Sequence, residues 1–148
     1  MKSKIIYIDM DDVLCDYQSG YKYYKLKYPD IKFPQSIKGF FNDLAPVKNG
    51  VATVNKMISS EKYNPYILTA PSTRNPHSYM EKRIWIESHF DYNFTKKLII
   101  CPNKGLLKGD ILIDDIVAGK GQESFEGDLI HFGSPEFPDW SSVSKILF

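Results

Sequence analysis

The chain has 148 residues, of which 43% are hydrophobic, and its formal net charge at pH 7 is +1. This length and composition predict one globular domain that buries a core of its own. Acidic and basic residues are spread along the sequence. A basic surface for a nucleic-acid polymer is therefore not expected.

The cysteine content and the start of the sequence predict a cytoplasmic protein. Cys15 and Cys101 are the only cysteines, and two isolated thiols without metal-type spacing are typical of a reducing compartment. The apolar run near the amino terminus is too short for a signal peptide or a membrane span. We expect no membrane partner, and a homodimer is left open because the sequence does not set the oligomeric state.

The predicted elements alternate between short apolar runs and longer amphipathic segments. The apolar runs are β-branched and continuous, which is typical of strands buried on both faces. Near the third helix, Asn75 is a candidate N-cap and Pro76 stands at the first helical position. In chain order we predict strand 5–8, helices of about 13–28 and 50–59, strand 66–68, helix 76–90, strands 98–100, 111–113 and 129–132, and helix 139–148.

This alternation predicts an α/β fold with a doubly wound, Rossmann-like sheet of five parallel strands. Residues 29–47 interrupt the pattern, because they contain three prolines and no clear strand. Together with the preceding helix they predict a small helical cap of about 17–47, inserted after the first strand. The prediction is thus a single domain, 1–148, that carries its cap within it.

Polar residues follow the apolar runs at the positions where the predicted strands end. In open α/β sheets, ligands bind beyond the carboxyl ends of the strands. The side chains at these ends are therefore expected to converge on one edge of the sheet. They are Asp9 and Asp11 after the first run, Thr69 after the second, Lys104 after the third, and Asp114 and Asp115 after the fourth.

The acidic residues at this edge predict a magnesium site. Side chains alternate along a strand, so Asp9 and Asp11 point the same way. Two carboxylates held close together repel, and a divalent cation relieves the repulsion. Oxygen ligands alone favour magnesium. Asp114 or Asp115 would complete the site, and the sequence does not decide which of the two binds the metal directly.

The chemistry that fits these groups is phosphoryl transfer. A carboxylate can attack phosphorus and form an aspartyl-phosphate, and a second carboxyl group can protonate the departing oxygen. The phosphoryl oxygens need cations and hydrogen-bond donors, which magnesium, Lys104 and Thr69 can supply.

The order of these motifs resembles the haloacid-dehalogenase superfamily of phosphatases. The pattern D-x-D-x-V occurs at residues 9–13, followed by Thr69, then Lys104, then the acidic pair. Within that superfamily, four stretches are similar to the 5'(3')-deoxyribonucleotidase family over nearly the whole chain. They are "DMDDVLCD", "ILTAPS", "EKRIWIESHF" and the spacing of "NKGLLKGDILIDD".

The resemblance implies a role for each matching residue. Asp9 would be the nucleophile, and Asp11 would be the general acid that later activates water. The metal ligands would be Asp9, the backbone carbonyl of Asp11, and Asp115 with Asp114. Thr69 and Lys104 would hold the phosphate of a small substrate, a deoxyribonucleoside monophosphate.

Aromatic residues crowd the predicted cap, and two interpretations of them stay open. Tyr17, Tyr21, Tyr24 and Tyr28 share one helical face, which indicates packing within the cap. Alternatively, Tyr17, Tyr21 or the pair Phe40 and Phe41 offer a flat wall to a base or another apolar group. Arg74 lies beyond Thr69 near a predicted helix amino terminus, which suits an anionic group of the substrate.

Two other functions compete with the nucleotidase. The cap segment is shorter than in animal members of the family, which motivates a phosphatase of a sugar phosphate or another small metabolite. A signalling receiver domain also uses an aspartyl-phosphate, magnesium, a threonine and a lysine on a five-stranded sheet. A receiver carries its acidic pair on the first strand, whereas this pair comes late in the chain.

Overall fold

In the computed structural model, which describes residues 2–148, five strands form a single sheet with all neighbours parallel. The strands are β1 (Lys4–Ile8), β2 (Tyr63–Thr69), β3 (Leu98–Ile100), β4 (Ile111–Asp114) and β5 (Asp128–His131). Their order across the sheet is β3-β2-β1-β4-β5. The predicted α/β fold class and the five predicted strands are confirmed.

The strand order places the first strand at the centre of the sheet. β1 pairs with β2 on one side and with β4 on the other, where Ile8 lies opposite Ile113. The backbone N–H of Asp9 continues this pairing by donating to the Ile113 carbonyl at 2.9 Å. The carboxyl ends of β1 and β4 therefore lie side by side, and the acids that follow them are brought together.

Four α-helices lie where the sequence predicts them, with differences at their ends. They are α1 (Tyr17–Lys27), α2 (Gly50–Ser59), α3 (His77–His89) and α4 (Trp140–Leu147). α1 begins later than predicted because Asp16 caps it, accepting from the Ser19 N–H, and because residues 10–15 form a tight turn instead. In α4, Trp140, Val143 and Leu147 are buried on one face, as predicted.

The two faces of the sheet are covered in different ways. Along β1, Ile6 and Ile8 belong to the large core on one face, while Tyr7 packs in a smaller cluster on the other. In the part of the chain that the structure describes, all four α-helices contribute to the large core. The smaller cluster is closed by Phe125 and by the partly buried Leu107, beside the short 3₁₀ turns Lys104–Leu106 and Gln122–Ser124.

The segment between β1 and α2 packs over the carboxyl ends of the strands. It contains α1 and the 3₁₀ turn Pro34–Ser36. Tyr17, Tyr21 and Tyr24 pack against the large core, so the predicted packing role of this helical face is present. No helix among residues 2–148 is long and apolar enough to cross a membrane.

Candidate active site

The first group of candidate residues meets at the carboxyl ends of β1 and β4. The Lys104 ammonium group donates to Asp9 Oδ1 at 2.8 Å and to Asp114 Oδ2 at 2.6 Å. All three side chains are almost completely buried. Lys104 comes from the 3₁₀ turn after β3, and Asn103 stabilises that turn by accepting from the Gly105 N–H.

Asp115 joins Asp9 and Asp114 in a cluster of three acids. One carboxylate oxygen from each lies within 4.8 Å of the others. Asp114 is held in place by two contacts besides that of Lys104: its carboxylate accepts from Gln122 Nε2 and from the Ile116 N–H. The acidic pair thus supplies both of its members to the cluster. We call Asp9, Lys104, Asp114 and Asp115 the floor of the site.

Burial and like charge shape the electrostatics of the floor. Burial raises the pKa of Asp9 well above its usual range; Lys104 opposes this rise, and the Asp114 and Asp11 carboxylates add to it. Burial also raises the pKa of Asp115 to about 6. For Lys104, burial alone would lower the pKa, but Asp9 and Asp114 outweigh it and raise the pKa. Further positive charge would favour the ionised form of the floor acids.

Asp11 lies apart from the floor cluster and is paired with a lysine that the sequence analysis missed. Lys82 Nζ donates to Asp11 Oδ2 at 3.0 Å and to Thr69 Oγ1 at 2.8 Å. Lys82 is fully buried, and its ammonium group lies 4.7 Å from the centre of the Phe41 ring. Lys82 is the second buried lysine of the site. It pairs with Asp11, whereas Lys104 pairs with Asp9 and Asp114.

A sequence signal for Lys82 existed. Lys82 lies three residues before Trp85 and four before Ile86, and both of these are completely buried in α3. A charged residue in the middle of a buried helical face is unusual unless it is paired. Lys104 follows an apolar run at a predicted strand end, whereas Lys82 lies in the middle of a helix, where the pattern of strand ends does not point to it.

Thr69 is close to the site, but its hydroxyl is engaged by the protein. Thr69 is fully buried, and its Oγ1 accepts from Lys82. The residues from this strand end that line the cavity above the floor are the next three, Ala70, Pro71 and Ser72. The role of Thr69 in holding phosphate stays a prediction.

The turn between Asp9 and α1 is tightly constrained. Asp12 has a positive φ of 61°, which a non-glycine residue seldom adopts. Its N–H donates to the Cys15 carbonyl at 2.7 Å, and its Oδ1 accepts from the Gln18 N–H at 3.0 Å. Asp12 therefore helps to cap α1, and its hydrogen bonds constrain the turn that contains Asp11.

A cavity of about 330 Å³ opens above the floor. On the side of the inserted segment it is lined by Tyr17, Gln35 and Phe41, which we call the upper wall. The rings of Tyr17 and Phe41 lie 6.1 Å apart. A flat group bound between the floor and this wall would therefore contact aromatic surface.

Two residues of the predicted substrate pocket lie elsewhere. Phe40 is completely buried and packs behind the wall, 5.4 Å from the Tyr17 ring and 5.0 Å from the Phe41 ring. Arg74 stacks on Phe33 at 4.2 Å and does not line the cavity. Adjacent residues within a turn point in different directions, and only Phe41 of the Phe40-Phe41 pair reaches the cavity.

The fold and the acids at its strand ends define the chain as a haloacid-dehalogenase-like hydrolase. A solved structure, "The crystal structure of a hydrolase from Streptococcus pneumoniae TIGR4", has a similar fold with a TM-score of 0.52. The likeness covers 99% of each chain at 12% sequence identity. At that identity it supports the architecture alone.

Sequence comparison narrows the class to one family. The profile described as "5' nucleotidase, deoxy (Pyrimidine), cytosolic type C protein" matches residues 31–140. The chain belongs to this family, and it is a phosphatase. The resemblance drawn from the motifs is confirmed, and a signalling receiver domain does not fit this membership.

Relatives that match along most of the chain are named as 5'(3')-deoxyribonucleotidases. A protein of Vibrio phage KVP40 assigned to the 5'(3')-deoxyribonucleotidases is 36% identical over 97% of this chain and 84% of its own. The 5'(3')-deoxyribonucleotidase of Bacillus subtilis is 32% identical over 89% and 86%. The human cytosolic-type enzyme is 26% identical over 96% and 79%.

Proposed function

We propose that this protein is a magnesium-dependent 5'(3')-deoxyribonucleotidase that works through an aspartyl-phosphate on Asp9. The observation that carries the proposal is the floor of the site. One buried lysine bridges Asp9 and Asp114, and Asp115 lies within 4.8 Å of both carboxylates. The names of the relatives supply the substrate class.

The donor chemistry and the charge of the site fit a magnesium ion. Four carboxylates, those of Asp9, Asp11, Asp114 and Asp115, face two ammonium groups, those of Lys82 and Lys104. When all four carboxylates are ionised, two negative charges remain, which one divalent cation would balance. The carboxylates of Asp9, Asp114 and Asp115, with the backbone carbonyl of Asp11, would hold it. When bound, the ion offsets the charge on the phosphoryl oxygens.

The chain's own residues carry out two displacements at phosphorus. In the first, the Asp9 carboxylate attacks the phosphorus of the substrate, and the bond from phosphorus to the ester oxygen breaks. Asp11 gives its proton to that departing oxygen. In the second, Asp11 takes a proton from water and the water oxygen attacks phosphorus. The bond between phosphorus and the Asp9 oxygen breaks, which restores the Asp9 carboxylate and frees inorganic phosphate.

The two buried lysines support different parts of this reaction. Lys104 lies against Asp9 and Asp114, so its charge acts on the transferring phosphoryl group and its attacking oxygen. Lys82 holds one oxygen of Asp11, and this contact orients the proton donor. Thr69 is expected to contribute to phosphate binding, as the resemblance implies, and Lys82 fixes its hydroxyl.

We further propose that residues 17–47 act as the cap and contact the nucleoside. The upper wall belongs to this segment, and the cavity it covers has a volume within the range of about 300–1,000 Å³ found for small-molecule sites. The aromatic rings of Tyr17 and Phe41 suit the flat face of a base. The proposed nucleotidase activity agrees with a cytoplasmic location, where nucleoside monophosphates occur.

A panel of phosphomonoesters tests the proposal, with each substrate assayed with magnesium and after removal of divalent cations by a chelator. We expect deoxyribonucleoside 5'- and 3'-monophosphates to give the highest kcat/KM, and activity to return only when magnesium is restored. Equal or faster turnover of sugar phosphates would favour the metabolite phosphatase instead. Full activity in the chelated sample would contradict the magnesium site.

A further inference from the structure

The upper wall contains a polar group whose hydrogen bonding is incomplete. Across residues 2–148, the Oε1 atom of Gln35 is the one buried side-chain nitrogen or oxygen that has no hydrogen-bond partner. Gln35 lines the cavity that also contains Asp9 and Lys104. An unpaired buried acceptor is unfavourable, and such atoms in native proteins require an explanation.

A second glutamine in the same cavity provides an internal comparison. Gln122 also lines the cavity, but the chain itself satisfies both ends of its carboxamide. Its Nε2 donates to Asp114 Oδ2 at 3.4 Å, and its Oε1 accepts from the Lys120 N–H at 2.8 Å. Gln122 therefore supports the floor, whereas the Oε1 acceptor of Gln35 has no partner among residues 2–148.

The backbone of Gln35 is fixed from the side of α3. Asn75 is completely buried, and its Nδ2 donates to the carbonyls of Gln35 at 3.1 Å and Ile37 at 3.3 Å. Its Oδ1 accepts from the His77 N–H, which ties the amide to the start of α3. Pro34, just before Gln35, restricts the backbone further.

A second buried contact fixes the segment a few residues later. Both carboxylate oxygens of Glu81, which is 3% exposed, accept from the Gly39 N–H at 2.8 and 2.9 Å. Gly39 has a φ of +95°, a conformation that glycine adopts at no steric cost. Residues 35–39 are therefore held rigidly against α3, so Gln35 is presented to the cavity with little loss of backbone freedom on binding.

From these contacts we infer that Gln35 recognises the nucleobase of the substrate by accepting a hydrogen bond from a base N–H. This inference rests on the proposed deoxyribonucleotidase function and adds the residue that distinguishes a nucleotide from a phosphorylated sugar. The terminal torsion of a glutamine is broad, so the carboxamide can turn its oxygen toward a bound group. The same carboxamide offers N–H donors to the base oxygen or nitrogen beside that N–H.

The floor and the aromatic wall cannot make this distinction by themselves. The floor binds the phosphate, which every phosphomonoester shares, and aromatic rings accept any flat or apolar group. A hydrogen-bonding group in a water-poor site discriminates more strongly, because a substrate that lacks the partner leaves it unpaired. The unpaired Gln35 oxygen is suited to that task.

The experiment compares Gln35→Met with the matched control Gln18→Met. Methionine keeps the length of the side chain and removes its hydrogen bonding. Gln18 is an exposed glutamine of α1 that does not line the cavity. For each protein, the ratio of kcat/KM for dTMP to kcat/KM for 2-deoxyribose 5-phosphate is measured. We expect this ratio to fall at least about tenfold in Gln35→Met and to stay at the wild-type value in Gln18→Met.

A second measurement uses the wild-type protein, so it does not depend on the folding of a variant. In a thymine nucleotide the only base N–H is at N3, and N3-methyl-dTMP lacks it. We expect kcat/KM for N3-methyl-dTMP to be at least about tenfold lower than for dTMP in the wild-type protein, and the difference to be largely absent in Gln35→Met.

The outcomes separate this inference from the proposed function. Suppose that the wild-type protein prefers dTMP to 2-deoxyribose 5-phosphate, that Gln35→Met keeps this preference, and that N3-methylation has no effect. Then Gln35 does not recognise the base, and the proposed nucleotidase function stands. If the wild-type protein shows no preference for dTMP, the proposed function fails and the inference fails with it.

Discussion

The floor and the upper wall face the same cavity, but the protein holds them in different ways. The floor consists of charged side chains at the ends of central strands, locked together by a lysine at 2.6–2.8 Å from two carboxylates. The upper wall is made of aromatic and amide side chains on an inserted segment, and that segment is anchored through its backbone to α3. Buried ion pairs thus hold the floor together, and hydrogen bonds to the backbone hold the wall in place.

Because they are held differently, the floor and the upper wall should respond differently to substitution. Changing a residue of the floor alters the buried charge that every substrate meets, and it destabilises the fold where a buried partner is left unpaired. Changing a residue of the wall alters contacts with the substrate, while the hydrogen bonds from Asn75 and Glu81 to the backbone of the segment remain. We therefore expect floor variants to lose turnover with every substrate, and wall variants to change the preference among substrates.

The largest expected effect is that of Asp9→Asn. An amide cannot attack phosphorus, so release of phosphate should fall to the background rate with all substrates. The fold should persist, because asparagine has the same shape and Lys104 keeps its contact with Asp114. Phosphate release and thermal unfolding are measured together; substantial activity in a folded variant would mean that another group is the nucleophile.

Lys104→Ala should give the next largest loss. Its removal takes away a cation from the transferring phosphoryl group, and loss of one such stabilising group costs about 2.7–4 kcal/mol, or about 10²–10³ in kcat. Lys108→Ala is the matched control, since Lys108 is an exposed lysine of the same loop. Steady-state kinetics with saturating magnesium measure the effect, and equal activity of the two variants would assign the role to another lysine.

Lys82→Met should lower kcat by a smaller factor, about 10–100-fold. General acid catalysis typically accelerates a reaction about 10²–10⁴-fold, and the variant should lose a part of that acceleration. The physical reason is that Asp11 loses the contact that orients it. Arg83→Met, the exposed neighbour on α3, serves as the control.

The leaving group distinguishes this role of Lys82 from a purely structural one. A nucleoside hydroxyl needs a proton as it departs, whereas p-nitrophenolate does not. Lys82→Met should therefore lose much more activity with dTMP than with p-nitrophenyl phosphate. An equal loss with both substrates would show that Lys82 does not act through Asp11.

The smallest expected effect is that of Tyr17→Ala, a change in the upper wall. Loss of one aromatic contact is worth about 0.5–1.5 kcal/mol, so KM for deoxyribonucleotides should rise about 2–12-fold with little change in kcat. Tyr23→Ala is the control, because Tyr23 is on the same helix and is 60% exposed. A large fall in kcat would place Tyr17 with the floor instead.

The sequence by itself determined the sheet and the identity of the floor. Continuous apolar runs are buried on both faces of a parallel sheet, so their ends could be located within a few residues, and the polar residues that follow them had to meet at one edge. Asp9, Asp114 and Lys104 meet there as expected. The predicted helix of about 50–59 agrees with the bounds of α2, because the apolar face of this helix is regular.

Only the tertiary structure decided which side chains complete the site. Lys82 reaches Asp11 across 71 residues of sequence because α3 packs its buried face beside the end of β1. Likewise, Phe41 lines the cavity while Phe40 packs behind it, and Gln35 rather than Arg74 enters the upper wall. Residues 29–47 have no regular hydrophobic period. The direction of each side chain there depends on long-range contacts such as those of Asn75 and Glu81, which local sequence patterns do not encode.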